Sequence, residues 1–118
     1  MKNTLLTTSL ILCHTFFSIF SANKLSAGSH ELEIAIQNCH YAKKFASIVI
    51  QKRETNRPLS YYQQIDFTSP VAMEIILEAY NTVLNEPEFS DRWFDRCSEI
   101  SCSEFWADLE VSIKLVSD

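Results

Sequence analysis

Four cysteines, three histidines and fifteen carboxylates are the groups in this chain that could do chemistry. Their spacing excludes most of it. His40 follows Cys39 directly, an order that invites a metal site or a cysteine–histidine catalytic pair. Adjacent residues on a helix point about 100° apart, so the two cannot readily serve one centre. No CxxC or HxxxH spacing occurs, and a structural zinc wants four such ligands. The carboxylates Asp91, Asp95, Glu99, Glu104 and Asp108 are dense. A glycosidase would need two of them across a rigid, sugar-sized cleft, and a small chain without a sheet offers none. No glycine-rich phosphate loop is present. We therefore expect no catalytic residue, no metal ligand and no cofactor. His40 reads as an exposed polar residue and the acids as a solvated face.

The element that must position everything else is 31–53. Leu32, Ile36, Cys39, Ala42, Ala46 and Val49 recur in steps of three and four, with Ala35 and Phe45 beside them. That spacing is a helical apolar stripe, not the alternation of a strand. Glu31 and Glu33 open the segment and Lys52 and Arg53 close it, which suits the helix dipole. Asn56 and Pro58 are its stop. Ser60 with Gln63 forms a capping box for a short helix over 61–66. Ser69–Pro70 starts a third helix, whose apolar face is Ala72, Ile75, Ile76, Ala79, Tyr80 and Val83 and which Asn85, Glu86 and Pro87 end. Ser90 caps a last helix running to about Val116 on the line Phe94, Ser98, Cys102, Phe105, Leu109, Ile113 and Val116. A second capping box, Ser101 with Glu104, marks where that helix would break. The expected fold is all-α, a small bundle of about four helices.

Residues 1–29 read as a signal peptide. Lys2 supplies the positive start, Leu5 to Phe20 is an apolar run, and small residues follow at Ser21–Ala22 and Ala27–Gly28–Ser29. The run falls short of the roughly 20 apolar residues that a span needs. Cleavage between 21 and 29 would leave 30–118 as a single α-helical domain in the periplasm or outside the cell, with no segment for the membrane. It removes Lys2 and Lys24 and no acid, so the net charge goes from −5 to −7. Residues 30–65 then carry a net of +2, from Lys43, Lys44, Lys52, Arg53 and Arg57 against Glu31, Glu33 and Glu54. Residues 66–118 carry twelve acids against Arg92, Arg96 and Lys114. This balance opposes nucleic-acid binding.

A domain this small has a thin core and gains from a staple, which an oxidising compartment permits. Cys39, Cys97 and Cys102 remain after cleavage, enough for one bridge and a spare thiol. Cys97 and Cys102 lie five apart on one expected helix and diverge. The stripe through Phe94 and Phe105 points to Cys39–Cys102, with Cys97 the alternative partner of Cys39 and otherwise a half-buried thiol or the cross-link of a homodimer.

Tyr61, Tyr62, Trp93 and Trp106 belong to a set of aromatics too dense to lie wholly on inner faces, since neighbours on a helix diverge. Exposed aromatics beside charge mark protein contacts. With Asp91, Asp95 and Glu99 they form the candidate partner-binding set.

The pieces Cys39, Arg53, Pro58-Leu59-Ser60, Ala79-Tyr80 and Pro87-Glu88-Phe89-Ser90 resemble those of a group of small, uncharacterised, signal-bearing helical proteins of proteobacteria and their phages. The likeness covers most of the chain after the signal. Cys97 is extra relative to that group, Cys102 comes earlier than its closing cysteine, and the linker after Tyr80 is longer. The resemblance implies export and a helical fold, and carries no activity. Phe94-Asp95-Arg96-Cys97 with Ser103 is similar to the last helix of periplasmic immunity proteins that neutralise type VI amidase toxins. Taken together, these readings predict an exported, non-enzymatic protein-binding protein. An immunity or inhibitor protein against a periplasmic toxin is its most specific form, and its partner is another periplasmic or secreted protein. The alternative is an acid- or stress-responsive periplasmic chaperone.

Overall fold

The computed structural model describes residues 24–100 and 104–118. The expected signal at 1–29 and the cysteines Cys13 and Cys102 fall wholly or largely outside them. Five helices and no strand occur among the described residues: α1 (Lys24–Glu54), α2 (Leu59–Gln63), α3 (Ala72–Ala79), α4 (Glu86–Glu99) and α5 (Leu109–Ser117). The all-α expectation holds. None of these helices is long and apolar enough to cross a membrane.

α1 is the central element, 31 residues long, or about 46 Å at the usual rise. Its C-terminus stops as the sequence implied. Asn56 takes a left-handed φ of 73°. Its N–H then donates to Arg53 O and that of Arg57 to Lys52 O, each at 3.0 Å. This is the Schellman pair, which satisfies carbonyls the helix leaves orphaned. Cys39, Ala42, Phe45, Ala46, Val49 and Ile50 are buried on its inner face. Leu32 and Ile36, expected to continue that face, are instead exposed at 59% and 47%. They lie beyond the level at which α4 ends.

α4 runs antiparallel along α1. Ser47 meets Glu86, Lys43 meets Asp91, His40 meets Phe94 and Cys39 meets Cys97. α3 and α5 also pack on α1. Two arginines at its C-terminal end hold them. Arg53 Nη1 donates to Ala79 O at 2.8 Å and to Thr82 O at 3.0 Å, closing the end of α3. Arg57 Nη1 donates to Val116 O at 2.8 Å, closing the end of α5.

Four expected helix starts move. α1 begins at Lys24 rather than Glu31. Pro58, not Ser60, is the cap residue of α2. α3 begins at Ala72, two residues after the expected proline start. α4 begins at Glu86 rather than Ser90, because Asn85 caps it by accepting from Glu88 N, and Pro87 fits the first turn. The run Asn85–Pro87 that reads as a terminator is a start signal for the next helix.

The larger correction concerns the last segment. One helix to Val116 does not form. Ile100 turns extended, at φ −108° and ψ 95°, and Asp108 adopts a left-handed φ of 61° before α5. Aspartate tolerates that region better than most residues. The break resets the helical phase. α4 buries Phe89, Ser90, Trp93 and Cys97, while α5 buries Leu109, Ser112, Ile113 and Val116. Phe94 is only half-buried and Ser98 is exposed. The flanking line of the expected helix is thus the inner line of α4. This line carries Cys97 onto Cys39, with a Cα–Cα distance of 5.3 Å, and the Cys39–Cys102 expectation is overturned. Among the described residues the break divides the expected last helix, which gives five helices where about four were expected.

Candidate functional site

Of the four candidate binding aromatics, Trp93 and Trp106 lie on either side of this break, and Tyr61 and Tyr62 lie on α2. Trp93 and Trp106 are each 2% exposed and Tyr62 is fully buried. Trp106 meets Trp93 edge-on at 6.1 Å and Phe105 at 4.9 Å. Its Nε1–H donates to Ile100 O at 3.0 Å, anchoring the chain as it leaves α4. Trp93 Nε1 is buried with no acceptor, and the Arg96 guanidinium sits 4.6 Å from its ring. Tyr61 is half-buried, covered by the Arg57 guanidinium at 4.0 Å and edge-on to Tyr62 at 5.4 Å. Tyr62, Trp93 and Trp106 are core residues and leave the binding set. Tyr61 remains only as a partly covered rim. Burial, and after it the neighbouring Tyr62, push the Tyr80 phenol well above its ordinary range. Its hydroxyl donates to Arg57 O at 2.6 Å and locks the turn after α1.

The acids of the set are brought together. Asp91, Asp95 and Glu99 are exposed on one side of α4, and Glu88 extends the line by a further turn. Steps of three and four residues stack them on one face, about 16 Å from end to end. They line a shallow groove with Leu84, Arg92 and Arg96. The bases do not cancel the acids evenly. Arg96 makes a fork with Glu78, at 3.2 and 3.0 Å, and is thereby committed to α3. Lys43 lies 3.1 Å from Asp91, but both side chains are about half exposed or more, so this pair is worth little. Glu88, Asp95 and Glu99 keep their charges toward solvent. Glu88 and Leu84 were the contributors not singled out from the sequence. The continuation of the Asp91 line by three residues was the available signal for Glu88.

A second groove lies where α1 and α4 meet on another side. His40, Lys43, Lys44, Ser47, Ile48, Gln51, Glu86 and Ser90 line it. Ser47 Oγ donates to Glu86 Oε2 at 2.5 Å and accepts from Gln51 Nε2 at 3.1 Å. His40 packs on the Phe94 ring at 5.3 Å. Cys39, held in a disulfide, has no thiolate to offer as nucleophile or ligand. Among the described residues, no group of three or more His, Cys, Asp or Glu side chains could hold a metal ion.

No family model, no curated protein and no solved structure matches this chain.

Proposed function

We propose that this chain is an exported, non-enzymatic protein-binding protein that takes a basic partner on the acidic face of α4. The observation that carries the reading is the line Glu88, Asp91, Asp95 and Glu99. These residues are exposed along one helix, and among the described residues Lys43 sets only an exposed pair against Asp91, while Arg92 shares the groove with four acids. Leu84 adds an apolar wall to the groove. Complementary charge of this kind steers encounter and selects partners. Export is supported by the buried Cys39–Cys97 bridge, since such bonds persist in oxidising compartments. In its most specific form the partner is a basic periplasmic toxin and the chain its immunity protein. The test is a pull-down from periplasmic extract with the wild type and with Asp95→Lys/Glu99→Lys. One basic protein held by the wild type and lost from the charge-reversed variant is expected. Retention by both at equal salt refutes the assignment of this face.

A second reading has one observation in its favour. Leu32, Ile34 and Ile36 form an exposed apolar stretch on α1, which suits a periplasmic chaperone that holds unfolded clients under acid stress. A chaperone should bind an apolar dye more strongly at acid pH and suppress aggregation of several unrelated clients. A dedicated binder should do neither.

A further inference from the structure

We infer that the Cys39–Cys97 disulfide is a redox gate on the acidic face, holding the last turn of α4 in line only while the bond is closed. The gate is a conformational property of the chain, and its consequence for binding rests on the function proposed above.

The bond occupies the last rung of the α1–α4 ladder. Below it come His40–Phe94, Lys43–Asp91 and Ser47–Glu86. Beyond it α1 is bare, with Leu32 and Ile36 exposed. No described contact farther along clamps the two helices. The remaining rungs nearby are weak, because Lys43–Asp91 is solvent-exposed and His40–Phe94 is a single tilted ring contact. The opposite end of α4 has independent anchors. Asn85 caps it, and Phe89 and Ser90 are buried. Arg96–Glu78 and Trp93–Trp106 tie the distal half to α3 and to the chain after α4, not to α1. With the bond open, the last turn from Cys97 to Ile100 keeps, among the described residues, only the Trp106 Nε1–Ile100 O hydrogen bond to the rest of the fold and can fray from α1, while Arg96 and the earlier turns stay docked. Glu99 then leaves the line of Glu88, Asp91 and Asp95.

The reaction needs a dithiol reductant. Its thiolate attacks one sulfur and the protein S–S bond breaks. Its second thiol then displaces the protein cysteine from the mixed disulfide. Two cysteine thiols form, and the reductant leaves as its own cyclic disulfide, having supplied two electrons and two protons. Both cysteines are only 4% exposed, so attack follows opening of this turn.

The test uses the full chain, oxidised and then reduced with dithiothreitol, followed by amide hydrogen exchange. The expected result is a rise in exchange over 94–100 at least threefold larger than over 42–50. A smaller excess, including an equal rise in both segments, overturns the gate, because the bond would then act on the whole fold or on nothing. Cys39→Ser/Cys97→Ser without reductant should reproduce the reduced pattern, and the oxidised pattern in that variant also overturns it. Poly-lysine is titrated against both redox forms. At least a fivefold weaker affinity on reduction is expected, and equal affinity overturns control of the acidic face. Should poly-lysine bind neither form while 94–100 opens on reduction, the proposed binding function falls and the conformational gate stands.

Discussion

Replacing Arg57 by alanine should release the C-terminal helix from the bundle. Arg57 Nη1 donates to Val116 O at 2.8 Å, an orphan carbonyl in the last turn of α5. A hydrogen bond from a charged group contributes roughly 1.5–3 kcal/mol. The guanidinium also lies 4.0 Å from the Tyr61 ring centroid, and a half-exposed cation–π contact adds about 0.5–1 kcal/mol. The two share one side chain and do not simply add, so the expected loss is about 2–3 kcal/mol. For a domain of this size that lowers the melting temperature by roughly 10–20 °C. The hydrogen bond from Tyr80 Oη goes to the Arg57 backbone carbonyl and survives the substitution, which keeps the effect on the side chain. Urea unfolding with the disulfide intact measures the loss, and hydrogen exchange over 109–117 shows where it falls. Arg57→Lys should recover part of the stability, since lysine keeps a donor but not the planar stack. A loss below about 0.5 kcal/mol, the range of an ordinary surface change, or unaltered exchange over 109–117, would refute the latch.

Three further outcomes are expected. Burial raises the Tyr80 pKa, so its protonated form favours the folded state. That stability is fully present below the unfolded tyrosine value of about 10 and is lost as pH climbs above it. Alkaline unfolding should begin near there, and Tyr80→Phe should flatten that limb in a circular dichroism titration. Trp106→Phe should destabilise by about 1 kcal/mol more than Trp93→Phe in urea melts, because Trp106 Nε1 has Ile100 O as acceptor and Trp93 Nε1 has none. Partner or poly-lysine binding should weaken steeply between low and high salt, and Asp95→Lys should weaken it at low salt while leaving the melting temperature nearly unchanged.

The fold was legible where a local signal had no competitor. The α1 stripe from Cys39 to Val49 shows in its spacing and is buried. Its stop at Asn56 follows from asparagine's tolerance of left-handed backbone. The failures share one cause: strong signals that overlap. Asn85–Glu86–Pro87 serves equally as the end of one helix and the cap and first turn of the next, and only the chain's path decides. Ser90 has the chemistry of a cap, yet in α4 its hydroxyl folds back onto Pro87 O at 3.2 Å. Leu32 and Ile36 lie on the right face of α1, but a stripe cannot say where its covering helix ends.

The site was half legible for a deeper reason. Acidic positions on α4 stay exposed under any phase that keeps Cys97 inside, so Asp91, Asp95 and Glu99 could be placed together from spacing alone. The aromatics could not. Trp93 and Trp106 diverge only if a single helix carries both. The chain turns between Ile100 and Asp108, and Trp93 reaches the interior from α4 while Trp106 reaches it from the turn before α5. Cys97 follows Trp93 by one turn and is drawn in with it, which selects Cys97 over Cys102 as the partner of Cys39. One backbone break therefore sets the bridge, takes both tryptophans inside and leaves charge as the feature by which this face can recognise a partner. Tyr61→Ala should accordingly cost stability, through the lost Arg57 stack, before it costs any binding.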